Sequence, residues 1–130
     1  VRSYRLQRNG NLLWLKAAVG GISGETAIFR LLVDTGASYT TLPTRPLESL
    51  GYSTAQATRT LRLISASGTM NAPVVSVSWF NCLGIRVEDY PVISYTLPTF
   101  SFVDGILGMD FLAGYEATIA TATAEIRLPL

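Results

Sequence analysis

The chain has 130 residues, nearly half of them hydrophobic and only 15% charged, with a net charge of +1. That is one domain's length with material for a real core, and its single lysine, Lys16, and scattered arginines form no cationic cluster, which excludes nucleic-acid binding. No histidine is present and Cys82 is the only cysteine, which removes His-dependent triads, intrachain disulfides and the usual zinc ligands; no metal or other cofactor is expected. So low a charge fraction points to apolar surface covered by a partner. No apolar run is long enough to span a bilayer, and no leader segment is visible, so no membrane insertion and a cytoplasmic location are the expectations. A start at Val1 rather than Met is what a chain processed or excised from a longer one would show.

In chain order, residues 1–11 carry Arg2, Arg5 and Arg8 at every third position, which suits a helix face, an edge strand or a flexible or processed arm, and Asn9-Gly10-Asn11 is a turn signal. Residues 12–19 read as a strand, Gly20-Gly21-Ile22-Ser23-Gly24 as a hairpin connection, and 26–33 as the next strand. Residues 38–42 are β-rich up to Pro43, and 46–51 make one short helical segment, with Pro46 at its start and Gly51 at its end. Residues 58–64 alternate, with Leu61 and Leu63 or the neighbouring Ile64 as inward candidates. Small residues 65–69 form a tip, and a strand returns over 70–80 with Val75, Val77 and Trp79 on one face and Pro73 marking an edge.

Residues 85–93 form a further strand, 95–103 a loop, and Asp104-Gly105 a turn. A brief helix over 109–113 stops at Gly114, and strands at 116–119 and 125–128 end the chain. Trp14 and Trp79 are expected in the core or lining a cleft, and Cys82 as a small buried hydrophobe. Many short strands with frequent turn signals predict an all-β sandwich or closed barrel in a single domain over 1–130.

The chemistry concentrates at Leu31-Leu32-Val33-Asp34-Thr35-Gly36-Ala37-Ser38. An apolar strand ends in a carboxylate, followed by a hydroxyl and a residue able to turn sharply. An Asp at a strand end is also what an ordinary Asx turn looks like. Two later features tip the balance. A hairpin over about 61–75 with a Ser-Gly tip is long enough to fold over a cleft, although an exposed hairpin is its plainer reading. About seventy residues after the acid comes Gly105-Ile106-Leu107-Gly108, an apolar pair followed by glycine.

In this order, from about Leu12 to Leu130, the chain resembles the retropepsin-like aspartic proteases, and the run from Asp104 to Leu112 resembles the bacterial and cellular branch more than the viral one. The resemblance implies a closed β-barrel-like fold with one short C-terminal helix, active as a two-fold homodimer that cleaves extended peptides with hydrophobic side chains beside the broken bond. It implies Asp34 as the catalytic acid or base, Thr35 bonding across the dimer, Gly36 offering its N–H, and Ala37 and Ser38 bordering the cleft. The flap would be Ile64, Ser65, Ala66, Ser67, Gly68, Thr69 and Met70, with Gly68 giving mobility; Ile106, Leu107 and Gly108 would support the loop from the core. In the viral members both chain ends interleave in a dimer sheet; here Ile126, Leu128 and Leu130 alternate on one face, Pro129 would shorten the pairing, and the arginine-rich start would flank it or be a processed arm.

Only one Asp-Thr-Gly exists here, while Asp104-Gly105 lacks the hydroxyl residue and Asp110 is expected in a helix or a salt bridge. Peptide hydrolysis by carboxyls needs two around one water, so the second must come from another copy. Two full negative charges at roughly 3 Å repel by about 5.5 kcal/mol at an effective dielectric of about 20, so the pair holds one proton between them. A catalytically silent β domain used for dimerisation or peptide binding is the alternative.

Overall fold

In a computed structural model, residues 1–65, 68–99 and 101–129 are described. The strands are β1 (Arg2–Arg5), β2 (Gln7–Asn9), β3 (Leu12–Gly20), β4 (Thr26–Val33), β5 (Thr41–Leu42), β6 (Thr60–Ser65), β7 (Gly68–Cys82), β8 (Ile85–Ser94), β9 (Gly105–Leu107), β10 (Thr118–Ala120) and β11 (Glu125–Leu128). Two short helices, α1 (Thr44–Ser49) and α2 (Met109–Gly114), lie between β5 and β6 and between β9 and β10. The larger sheet runs β2-β3-β4-β9-β5-β8-β7-β6. Pairing of Ala18 with Asn81 and Val19 with Phe80 joins β3 to β7, so six of these strands close into a barrel. A three-stranded sheet, β1-β11-β10, completes the fold.

The sequence places β4 at 26–33, and the structure agrees, because a glycine turn and an acid bound its apolar run. β4 pairs antiparallel with β3 on one edge and parallel with β9 on the other. Parallel strands need a covered sheet; Leu31 and Leu107, both fully buried, supply its core face.

Three sequence readings change. Gly105 does not turn the chain: it starts β9 opposite Leu31, where a Cβ would lie 2.2 Å from the Thr41 carbonyl oxygen, so only glycine fits. The preceding Asp104 clamps β4 instead, accepting the Arg30 backbone N–H at 2.7 Å while its own N–H donates to the Arg30 carbonyl at 2.8 Å. The strand expected over 38–42 shrinks to Thr41–Leu42, and the one at 116–119 shifts to Thr118–Ala120. Third, Val75 and Val77 face the core, but Phe80 and Cys82 follow them inward, not Trp79. The β7–β8 ladder skips Ser78 and Asp89; Asp89 has φ +51°, and the Ser78 N–H turns to the Tyr52 hydroxyl at 2.7 Å. That skipped pair reverses the phase of both strands. Phe80 then stacks on Tyr90 and meets Phe111 edge-on, while Trp79 covers Gly20 and carries the Arg86 guanidinium over its ring.

The first eleven residues contain two strands, β1 and β2. β1 pairs with β11, β2 pairs with β3, and the Arg8 guanidinium bonds the Thr121 carbonyl. β11 is thus flanked on both sides by strands of its own chain, with Ile126 and Leu128 fully buried beneath it. That leaves its edges filled where the resemblance implied an interleaved partner; Leu130 lies outside the described residues. Among the described residues no helix is long and apolar enough to cross a membrane.

Cys82 is buried as expected, and desolvation pushes its thiol up from 9.0 to about 12. The unfolded chain therefore releases this proton first, so stability is intact below about pH 9 and declines as pH rises toward 12. Between pH 9 and 10 the wild type should lose up to about 1.4 kcal/mol per pH unit through this one thiol. Urea unfolding across that interval should show a flatter decline for Cys82→Ala than for wild type.

Candidate active site

β4 delivers Asp34 into an irregular loop held from two sides. The Asp34 N–H donates to the Leu107 carbonyl at 3.1 Å, which extends the parallel β4–β9 ladder by one bond. From α2, the Met109 and Asp110 N–H groups donate to the carbonyls of Ala37 (2.8 Å) and Ser38 (3.1 Å). The first N–H groups of a helix lack partners within it; here two of them are spent on the loop. Gly36 turns its N–H onto Asp34 Oδ1 at 2.9 Å, and the Ala37 N–H donates to the Asp34 carbonyl. The carboxylate is half-buried and already has one donor.

A second layer locks the loop's far end. Thr40, fully buried, donates its hydroxyl to Asp110 Oδ1 at 2.9 Å and accepts the Gly108 N–H at 3.3 Å. The Tyr90 hydroxyl donates to Asp110 Oδ2 at 2.9 Å. Burial, reinforced by the adjacent Asp110 carboxylate, holds the Tyr90 phenol well above its ordinary value, so it stays a donor throughout the neutral range. Asp110 thus belongs to α2, and its oxygens answer two hydroxyls, with no salt bridge among the described residues. Gly108 lets the segment close: a Cβ there would lie 2.6 Å from the Tyr39 carbonyl carbon.

Beside the loop lies a cleft of about 460 Å³. Gly36, Ala37 and Ser38 line one side, and Leu63, Ile64 and Met70 of the β6–β7 hairpin line the other. Ile93, Leu97 and Ile106 add apolar wall, and among the described residues Arg62 is the one lining residue with a formal charge. The hairpin pairs from Thr60 opposite Pro73 to Ser65 opposite Gly68. β8 begins to pair only at Val74, so the hairpin projects beyond the barrel and Pro73 sits where β7 has one neighbour. Ile64 is 83% exposed, Gly68 has φ +128°, and Ala66 and Ser67 lie outside the described residues.

Thr35 lies exposed on the loop's other flank, bordering a separate depression of about 260 Å³ with Met109, Ala113 and Ile119. Ser38 contributes its carbonyl to α2 and its surface to the cleft. Leu107 is core, whereas Ile106, expected in the core, is a half-buried cleft wall, because successive residues of β9 face opposite sides. Reading the sequence missed Arg62, Leu63, Tyr39, Ile93 and Leu97 in the cleft and the Thr40–Asp110–Tyr90 network. The clearest signal available was Asp110 in the first turn of a helix that follows Gly108 directly.

A family model described as Aspartyl protease matches residues 16–111, and the chain belongs to that family. The fold is that of the retropepsin-like aspartic proteases. The chain superposes on a retropepsin-like aspartic protease from Rickettsia conorii with a TM-score of 0.71 at 19% identity, covering 96% of this chain and 88% of the other. It also matches the retroviral protease-like domain of Ddi1 from Leishmania major, with a TM-score of 0.57 at 15% identity over 91% of this chain and 88% of the other. No curated protein sequence matches the chain.

Two substitutions probe the brace. Asp110→Ala strands the Thr40 and Tyr90 hydroxyls in the interior and should cost about 1–3 kcal/mol for each, read by urea unfolding. Gly108→Ala forces a methyl into the Tyr39 backbone and should destabilise by about 1–3 kcal/mol while displacing the Asp34 loop; the amide spectrum of residues 34–40 reports that displacement.

Proposed function

We propose that the chain is an aspartic endopeptidase whose catalytic pair is Asp34 and the Asp34 of a second copy. The observation that carries this is a single Asp-Thr-Gly loop, braced by β9 and α2, beside an apolar cleft beneath a projecting hairpin. The two loops meet about a two-fold axis, the commonest oligomer symmetry, with Thr35 bonding across it. An extended peptide lies between loop and hairpin, its apolar side chains against Leu63, Met70, Ile93 and Ile106, and the hairpin acts as a flap that excludes water.

One carboxyl is ionised and the other protonated, and a water sits between them. The ionised carboxylate takes a proton from the water as its oxygen attacks the peptide carbonyl; the protonated carboxyl gives its proton to the carbonyl oxygen. The tetrahedral intermediate then breaks its C–N bond: the proton taken from water passes to the departing amine, and one hydroxyl of the intermediate returns its proton to the now ionised carboxyl as the C=O re-forms, which restores the starting pair. Removing the shared proton disables the acid and adding a second disables the base, so the rate is bell-shaped in pH.

Purified protein should cleave a peptide mixture without added metal, best at acidic to mildly acidic pH, and pepstatin should block it. Asp34→Asn should lower kcat by roughly 10²–10⁴-fold or more while leaving the fold intact. Mixing wild type with an equal amount of Asp34→Asn and letting subunits exchange should reduce the wild-type rate to about half, because mixed dimers have one carboxyl. Wild-type cleavage by Asp34→Asn would overturn the assignment; an additive rate on mixing would overturn the shared site.

A further inference from the structure

We infer that the barrel wall carries a second peptide site, away from the cleft, where Ser76 and Arg59 take the free carboxylate end of an extended peptide. The site is a gap along one edge of β7. On that edge β6 covers residues 68–73, and β3 returns at Phe80 and Asn81. Between them the Val74 N–H donates to the Arg59 carbonyl at 2.9 Å, and the Ser78 N–H donates to the Tyr52 hydroxyl at 2.7 Å. Tyr52 is itself tied down, because its hydroxyl donates to the Gly20 carbonyl at the end of β3.

Ser76, midway between those two bonds, is left over. Across the β7–β8 ladder it stands opposite Pro91, two residues along from the Val74–Ile93 pair. That pair exchanges no ladder bonds, since the Val74 N–H turns to Arg59 and the Ile93 N–H turns to the Thr40 carbonyl. Bonded and unbonded pairs alternate in an antiparallel ladder, so Ser76–Pro91 exchanges none either, which suits a proline without an N–H. The N–H and C=O of Ser76 therefore both point into the gap, and among the described residues neither has a partner. Ser76 is exposed, while Val75 and Val77 beside it are buried. A strand residue open in this way pairs with one residue of an added peptide through two hydrogen bonds.

The gap opens into a hollow of about 410 Å³, a volume within the roughly 300–1,000 Å³ of small-ligand sites. Ile22, Ala57 and Val74 give it apolar lining, and among the described residues Arg59 is its one lining residue with a formal charge. Arg59 makes no ion pair among the described residues. Asp110, with which it borders a smaller recess, gives both carboxylate oxygens to hydroxyls. An unpaired guanidinium beside an open backbone pair matches a carboxylate attached to an amide, which is the end of a peptide chain. Hydrolysis of a peptide bond creates such an end, so the natural occupant is a cleaved product. That source rests on the endopeptidase reading; the binding does not, because the hollow shares no lining residue with the cleft.

Amide spectra of the isotope-labelled Asp34→Asn protein test this, with acetyl-Ala-Val-Ala as the probe, once as the free acid and once as the C-terminal amide. The free acid should shift the signals of Gln56, Arg59 and Ser76 saturably, and the amide form should bind about ten-fold more weakly or worse. Arg59→Gln should bring the free acid down to the amide's affinity. Ser76→Pro removes the one open donor and no ladder bond, and should weaken both forms about ten-fold or more. Equal binding of acid and amide, shifts confined to Gly36, Ala37 and Ser38 of the cleft, or no saturable shift at all would overturn the inference. So would a free-acid affinity that Arg59→Gln, a surface change that keeps the fold, leaves unaltered. Cleavage that survives Asp34→Asn would remove the catalytic pair and, with these shifts present, leave this site standing.

Discussion

The hydrogen bond from the Asp34 N–H to the Leu107 carbonyl is the smallest link on which the rest depends. It exists because β4 and β9 run parallel, and their pairing exists because a glycine at 105 lets β9 press against β5. The same segment then continues through Gly108 into α2, whose first N–H groups reach back to the loop carbonyls. One stretch of six residues, Gly105 to Asp110, therefore fixes the acid from below and its loop from the side. A carboxylate at a strand end would otherwise sit in a loop free to choose its own turn; here its backbone has almost no choices left.

That arrangement separates two surfaces. Gly36, Ala37 and Ser38 look into the cleft, while Thr35 looks onto the depression beside β10. A loop that borders two separate hollows must be held by contacts that lie in neither. The brace through Thr40, Asp110 and Tyr90 makes this workable, since it fixes the loop without using atoms on either face. All of its hydroxyls are answered internally, which is what a buried polar network requires to be stabilising.

Much of this was legible in the sequence wherever a single segment carried its own signal. β4 has a glycine turn before it and an acid after it, and its bounds come out unchanged. The Asp34 loop and the Ile106-Leu107-Gly108 run are local patterns, and their partnership followed from their order. What was not legible arises between segments. No residue type announces the skipped Ser78–Asp89 pair, so period-two alternation carries Trp79 inward when Phe80 takes the place. Thr40, Tyr90 and Asp110 are spread over seventy residues and look ordinary one by one. Gly105 looked like a turn because Asp-Gly usually is one; the close approach of Thr41 that requires it comes from another strand.

The pairing of β1 with β11 sets an order of assembly. Arg2 faces Leu128 and Arg5 faces Glu125, so β1 waits in synthesis until β11 has been made. Loop closure over nearly the whole chain is slow and late compared with local hairpins such as β3–β4 or β6–β7. Until it happens, β11 is paired on one side with β10 and open on the other. A chain still emerging thus has all the braces of the Asp34 loop, which end at Asp110, shortly before it has the β11 that closes the second sheet.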